Sequence, residues 1–253
     1  MAAVHLFGDE HALAPPRTLR EDLPGGGFVL RHPEPLAPHA RCIGDWLEHW
    51  ARATPEALFL AERAGDGWRR LDYRHTRELV GAVAQGLLDL GLPPGPVVVL
   101  SDNAVDHALL ALAAMHVGRP VCTVSSAYCR LSQDHAKIHA ILDQLGPALV
   151  YASDAATYGR AMAGWRGTAG RVLSEGADQV PGALPFSTLL AARETPAVAR
   201  AFAAITPDTE AKYLLTSGST GVPKIVVNTH RMLCANQQQI AQVWPFLTRR
   251  KLV

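Results

Sequence analysis

The sequence predicts an α/β fold: a parallel sheet flanked by helices over most of its length. Two observations predict it. Short runs such as Val97-Val98-Val99-Leu100 are apolar throughout. They lack the alternation of a half-solvated strand and suit a sheet covered on both faces. Such runs also alternate with longer segments whose apolar residues recur at helical spacing, the pattern of successive βαβ units.

Residues 1–40 are rich in Pro, Gly, Arg and His and read as an irregular arm. Residues 42–53 predict a helix with Ile43, Leu47 and Trp50 on one face, ended by Thr54-Pro55. Residues 57–62 and 68–73 predict a hairpin across Gly65-Asp66-Gly67. Residues 76–90 predict a helix, because Leu79, Val83, Leu87 and Leu90 keep its period and Gly91 stops it.

The βαβ region follows. Strand 97–100 leads through Ser101-Asp102-Asn103, expected as helix caps, into a helix reaching His116. Strand 120–124, helix 132–145, strand 148–152, helix 155–165 and strand 171–174 continue the cycle. Residues 175–209 form a connection with one short helix at 186–192, and a second sheet-bearing segment begins at Glu210. A helix over 231–244 ends at Pro245. Three parts are therefore expected: an arm (1–40), a first α/β subdomain (41–205) and the start of a second (206–253).

Composition narrows the function classes. With 48% hydrophobic and 19% charged residues, the chain reads as a globular protein. A net charge of +1, from 24 basic and 23 acidic residues, gives no basic excess for nucleic acid or anionic membrane. Cys42, Cys122, Cys129 and Cys234 show no CxxC spacing. They suit a reducing, cytoplasmic compartment and no metal site is expected. The first thirty residues carry Asp9, Glu10, Glu21 and Asp22 and no apolar core, so no secretory leader is read there. His135 and His139 are spaced i, i+4 without the glutamate of a zinc motif, and read as surface histidines.

The chemistry is concentrated in Thr216-Ser217-Gly218-Ser219-Thr220-Gly221-Val222-Pro223-Lys224. Glycines let the backbone turn sharply, so that peptide N–H groups gather in a concavity that binds phosphate oxygens. The hydroxyls add donors and the lysine a compact positive charge. The flanking runs Tyr213-Leu214-Leu215 and Ile225-Val226-Val227 make the context strand, loop, strand. The spacing excludes a Walker loop, whose glycines stand further apart with Lys-Ser/Thr directly after the second.

This motif resembles the phosphate loop of the adenylate-forming superfamily, which includes acyl- and aryl-CoA synthetases and peptide-synthetase adenylation domains. One departure is Ile225, where the family usually has glycine after the lysine. Leu71-Asp72-Tyr73-Arg74 with Leu87-Leu88-Asp89-Leu90-Gly91, and the strand and helix over 97–120, are similar to earlier family segments. The resemblance covers roughly residues 40–247. Three phrases resemble the feruloyl-CoA synthase sub-family: Glu48-His49-Trp50, residues 106–118 and residues 228–238.

The resemblance implies ATP-dependent activation of a small-molecule carboxylate, ferulate or a related hydroxycinnamate, followed by transfer to coenzyme A, with ATP, Mg²⁺ and coenzyme A required. It implies that Thr216, Ser217, Gly218, Ser219, Thr220, Gly221 and Pro223 form the ATP-phosphate site, and that Lys224 offsets charge on the departing pyrophosphate. The segments that would hold adenine, ribose and magnesium, the late catalytic lysine and the acyl pocket are not found. The chain therefore reads as an N-terminal fragment of the family's large domain, truncated in its second sheet-bearing unit and inactive alone. A non-catalytic nucleotide-binding module and a synthetase for a fatty or amino acid remain open readings. His230 is expected as a strand-end histidine with a structural hydrogen bond. Trp46, Trp50 and Trp244 are expected in core packing.

Overall fold

The computed structural model describes residues 13–132, 134–216 and 223–248. The chain forms two compact units, residues 41–230 and residues 1–40 with 231–253.

Where an irregular arm was expected, the smaller unit carries an antiparallel hairpin of β1 (Leu19–Asp22) and β2 (Phe28–Arg31). Gly25 and Gly26 take positive φ at its turn, a conformation glycine enters without steric cost. This unit also holds the body of a C-terminal helix. There Ala14 N–H donates to Val243 O at 2.9 Å, and Ala37 N–H to Gln242 Oε1 at 2.9 Å.

The larger unit is a seven-stranded sheet with helices on both faces, plus a separate hairpin of β3 (Leu58–Ala64) and β4 (Gly67–Asp72). Before the hairpin comes α1 (Ile43–Ala53), and after it α2 (Tyr73–Asp89), capped by Asp72 through the His75 N–H. The βαβ cycle then runs β5 (Val97–Leu100), α3 (Val105–His116), β6 (Val121–Val124), α4 (Ala127–Arg130), α5 (Ala136–Leu145), β7 (Leu149–Asp154), α6 (Ala155–Gly164) and β8 (Gly170–Glu175). The connection that follows is more structured than expected, with β9 (Ala183–Pro185), α7 (Phe186–Leu190) and α8 (Pro196–Ala203). The unit closes with β10 (Glu210–Thr216) and β11 (Lys224–Thr229), and α9 (His230–Val243) begins at its last residue.

The sheet order is β11-β10-β6-β5-β7-β8-β9, and every neighbouring pair except β10–β11 is parallel. The apolar run in β5 explains why the sheet is covered on both sides. Val97 and Val99 enter one core with Val80, Leu87, Leu109 and Phe186; Val98 and Leu100 enter the other with Ile138, Leu142 and Met162. A strand whose successive residues point to opposite faces is apolar throughout only if both faces are buried. The α/β class expected from the sequence is the architecture found.

Several local expectations are corrected. The N-cap of α3 is Ala104, and neither Asp102 nor Asn103 caps it. Asp102 instead pairs with Arg130 at 3.0 Å. Trp50 and Trp244 are 40% and 46% exposed, so neither is a core residue; Trp46 is half-buried. His135 precedes α5 in a left-handed conformation, and both it and His139 are half-buried. His139 Nε2 lies 2.9 Å from the Ala161 carbonyl. Among the described residues no helix is long and apolar enough to cross a membrane.

Candidate functional site

The site grows from the β10–β11 hairpin. On β10 Tyr213 and Leu215, and on β11 Ile225, pack against the second core. Lys212 and Tyr213 pair in parallel with Val121 and Cys122 of β6. That direction carries the end of β10 to the carboxyl edge of the parallel strands, where open α/β sheets bind their ligands.

At that edge Thr216 pairs with Lys224, closing the described part of the hairpin. Residues directly opposite each other in an antiparallel pair share one face. Thr216 and Lys224, both exposed, therefore leave the hairpin on the same face, while Pro223 is buried. Thr216 Oγ1 donates to Lys224 O at 3.4 Å. The fixed φ of proline then directs the lysine from an anchored point. Ser217, Gly218, Ser219, Thr220 and Gly221 lie outside the described residues. Of the expected phosphate site, Thr216 and Lys224 are brought together and Pro223 adjoins them. A hydroxyl and an ammonium residue on one face at a sheet's carboxyl edge fit a phosphate. Among the described residues no cluster of His, Cys, Asp and Glu forms a metal site.

At the other end of the hairpin, His230 is fully buried. Its N–H donates to Thr209 O at 3.0 Å, and its Nδ1 accepts the Ile43 N–H at 3.3 Å. Burial and the nearby Arg41 hold its pKa below the usual histidine range, with Asp45 opposing. The imidazole is therefore neutral, and an accepting Nδ1 places its proton on Nε2.

A second feature at the same edge was not visible in the sequence. Arg130 of α4, directly after β6, and Thr157 and Arg160 of α6, directly after β7, line one pocket with Ser132 and His135. The sheet order places β6 and β7 on either side of β5, so the two arginines converge although thirty positions separate them.

The AMP-binding enzyme family matches residues 47–251 of this chain. The chain belongs to that family. Among curated AMP-binding relatives, a salicylyl-CoA synthase / salicylate adenylyltransferase of Streptomyces sp is 29% identical over 80% of this chain. A 2-hydroxy-7-methoxy-5-methyl-1-naphthoate–CoA ligase of Streptomyces carzinostaticus is 29% identical over 81%. The phosphinothricin tripeptide synthetase PhsC of Streptomyces viridochromogenes is 31% identical over 81%. The chain spans 37%, 38% and 17% of their lengths. Among solved structures, the N-terminal subdomain of Klebsiella oxytoca NpsA, in complex with 3-hydroxybenzoyl-AMSN, superposes with a TM-score of 0.55 at 21% identity. It matches 77% of this chain and 42% of its own. The fatty acyl-adenylate ligase of Legionella pneumophila gives 0.59 at 18% identity, over 80% and 32%. At these identities the likeness is one of fold.

Proposed function

We propose that this chain carries the nucleotide-phosphate site of a ligase that activates an aromatic carboxylic acid as its acyl-adenylate and passes the acyl group to coenzyme A. The observation that carries this reading is the Thr216–Lys224 pair at the carboxyl edge of the sheet, in a member of the AMP-binding family. Bound ATP would supply an electrophilic α-phosphorus and pyrophosphate as leaving group. Lys224 offsets negative charge on that group, while Thr216 turns its single hydroxyl proton from the Lys224 carbonyl to a phosphate oxygen. Pro223 keeps the lysine aimed, so little reorganisation is needed as charge develops. Ser217, Ser219 and Thr220 are proposed as further donors, with Gly218 and Gly221 shaping the loop. Magnesium, which family members would use with ATP, has no ligand set among the described residues.

Two of the relatives named above act on aryl acids and coenzyme A, which supports an aryl-CoA product. Ferulate, or a related hydroxycinnamate, is our finer reading and rests on the three sequence phrases at 48–50, 106–118 and 228–238. Arg130 and Arg160 line one pocket, and guanidinium groups there suit the phosphates of coenzyme A, with Arg130 also paired to Asp102. Four buried cysteines outside any disulfide are in keeping with a cytoplasmic setting.

The test is calorimetric titration of the 253-residue chain with ATP and with pyrophosphate, alongside acid-dependent ATP–pyrophosphate exchange in an enzyme competent for adenylation. Saturable binding of both ligands supports the phosphate site, and failure to bind either removes it. Exchange driven by ferulate but not by octanoate or glycine supports the hydroxycinnamate reading. Exchange driven by glycine would favour a peptide-synthetase substrate.

A further inference from the structure

We propose that His230 is a positioning residue for Lys224, because it locks the register of the β10–β11 hairpin from the end opposite the lysine. The proposal rests on the reading of Lys224 as a phosphate contact.

Register in a β-strand is normally set by burial, since a one-residue slip turns every side chain to the other face. On β11 burial sets little, since Ile225 packs against the second core only as a half-buried residue. Val226 and Val227 point to opposite faces, yet they are 43% and 42% exposed. Among the described residues the strand also lies at the sheet edge and pairs only with β10. At the open end of the hairpin the ladder is irregular: Glu210 pairs with Thr229 and Lys212 with Asn228, leaving a bulge at Ala211. A weakly specified edge strand beside a bulge can slip unless something outside the ladder holds it.

His230 supplies that hold. It directly follows Thr229, and it is fixed twice: through its backbone to Thr209, the residue before β10, and through its ring to the N–H of Ile43 at the start of α1. That helix belongs to the same compact unit and is packed into the first core by Leu47. A slip of β11 would drag a buried imidazole out of its site and leave the Ile43 donor without its acceptor. The cost of that move falls on the register that places Lys224 opposite Thr216.

The register can be read by disulfide trapping in the 253-residue chain. Leu214 and Val226 are partners, so Leu214→Cys with Val226→Cys closes in the native register. Leu214→Cys with Val227→Cys puts the thiols on opposite faces and closes only after a one-residue slip. With His230 intact, only the first pair is expected to oxidise. With His230→Ala the second pair should appear at several-fold higher yield, and ATP affinity should fall by about tenfold, as for loss of one well-placed contact. His230→Gln, a neutral side chain that can still accept, should restore both. Ile43→Pro removes the donor from the other side. Proline is tolerated at a first helical position, and Cys42 before it is already extended. It should reproduce the slip without touching His230, and it decides the matter if His230→Ala does not fold. An unchanged trapping pattern in Ile43→Pro and in folded His230→Ala overturns the proposal. A slip without loss of ATP affinity keeps the register lock and removes instead the phosphate role of Lys224.

Discussion

Glu62 Oε2 on β3 accepts the backbone N–H of Val105, the first residue of α3, at 2.6 Å. A side chain forty-three positions upstream thus does the work that the local residues Asp102 and Asn103 were expected to do. Its other oxygen meets Arg69 at 3.0 Å, and Arg69 reaches Asp106 in the first turn of α3 at 2.8 Å. The hairpin is thereby bolted to the helix that follows β5. Glu62→Ala removes the cap and strands Arg69 with one partner. It should cost about 1–2 kcal/mol in urea unfolding, whereas an Asp102→Ala change should cost well under 1 kcal/mol. Equal losses would contradict the assignment.

His116 is one group through which acid should act. It is 2% exposed and stacks on Phe202 with ring centroids 4.0 Å apart. Burial, helped by Arg77 and Arg41 and opposed by Glu48 and Glu194, pushes its pKa down to about 4. The folded protein therefore favours neutral imidazole, while an unfolded histidine titrates near 6.5. The contribution is fully present above about pH 6.5 and is lost as pH falls toward 4. It should amount to something on the order of 3 kcal/mol across that window. His116→Gln should flatten the slope of unfolding free energy between those pH values, and an undiminished slope would assign it to other groups.

Gly86 shows where a helix rule reverses. Glycine within a helix ordinarily costs about 0.5–1 kcal/mol relative to alanine, so Gly→Ala usually stabilises. Here a Cβ on Gly86 would come within 2.9 Å of both the Leu189 Cα and its Cδ2, at the contact of α2 with α7. The backbone atom cannot rotate away. Gly86→Ala should destabilise by about 1–3 kcal/mol, the scale of overpacking, in thermal or denaturant unfolding. A gain in stability would show that α7 can shift.

Lys224→Ala should separate the two half-reactions of the proposed ligase. In an enzyme competent for both, formation of the adenylate should slow by about a hundredfold or more, with a much smaller effect on thioester formation from supplied adenylate. Rapid-quench measurement of each half-reaction reads this. Equal slowing of both would remove the lysine from the phosphate chemistry.

The thiols should behave as core residues. All four cysteines are buried and outside any disulfide, and burial lifts Cys122 and Cys129 to about 11. Thiolate is the reactive form, so labelling by a disulfide reagent at pH 7.5 should follow the rate of structural opening and not reagent concentration. Fast labelling of any one thiol, at a rate that rises with reagent concentration, would place it at the surface.

What could be read from the residues was local. The four apolar residues of β5, the helical spacing of Val83 and Leu87, and the order of small, hydroxyl and basic residues from Thr216 to Lys224 each lie within one element or one turn. Periodicity and backbone chemistry act over that range, so the α/β class and the two strands on either side of the motif followed from sequence alone. The corrections share a different cause. Trp50 keeps the helical spacing of a core residue, but the far end of α1 has little packed over it. The α3 cap comes from Glu62, the two pocket arginines meet through the sheet order, and His230 meets Ile43 across 187 positions. Each of these depends on which strands become neighbours, and that is decided by how whole apolar faces pack, a property no short stretch of the chain contains.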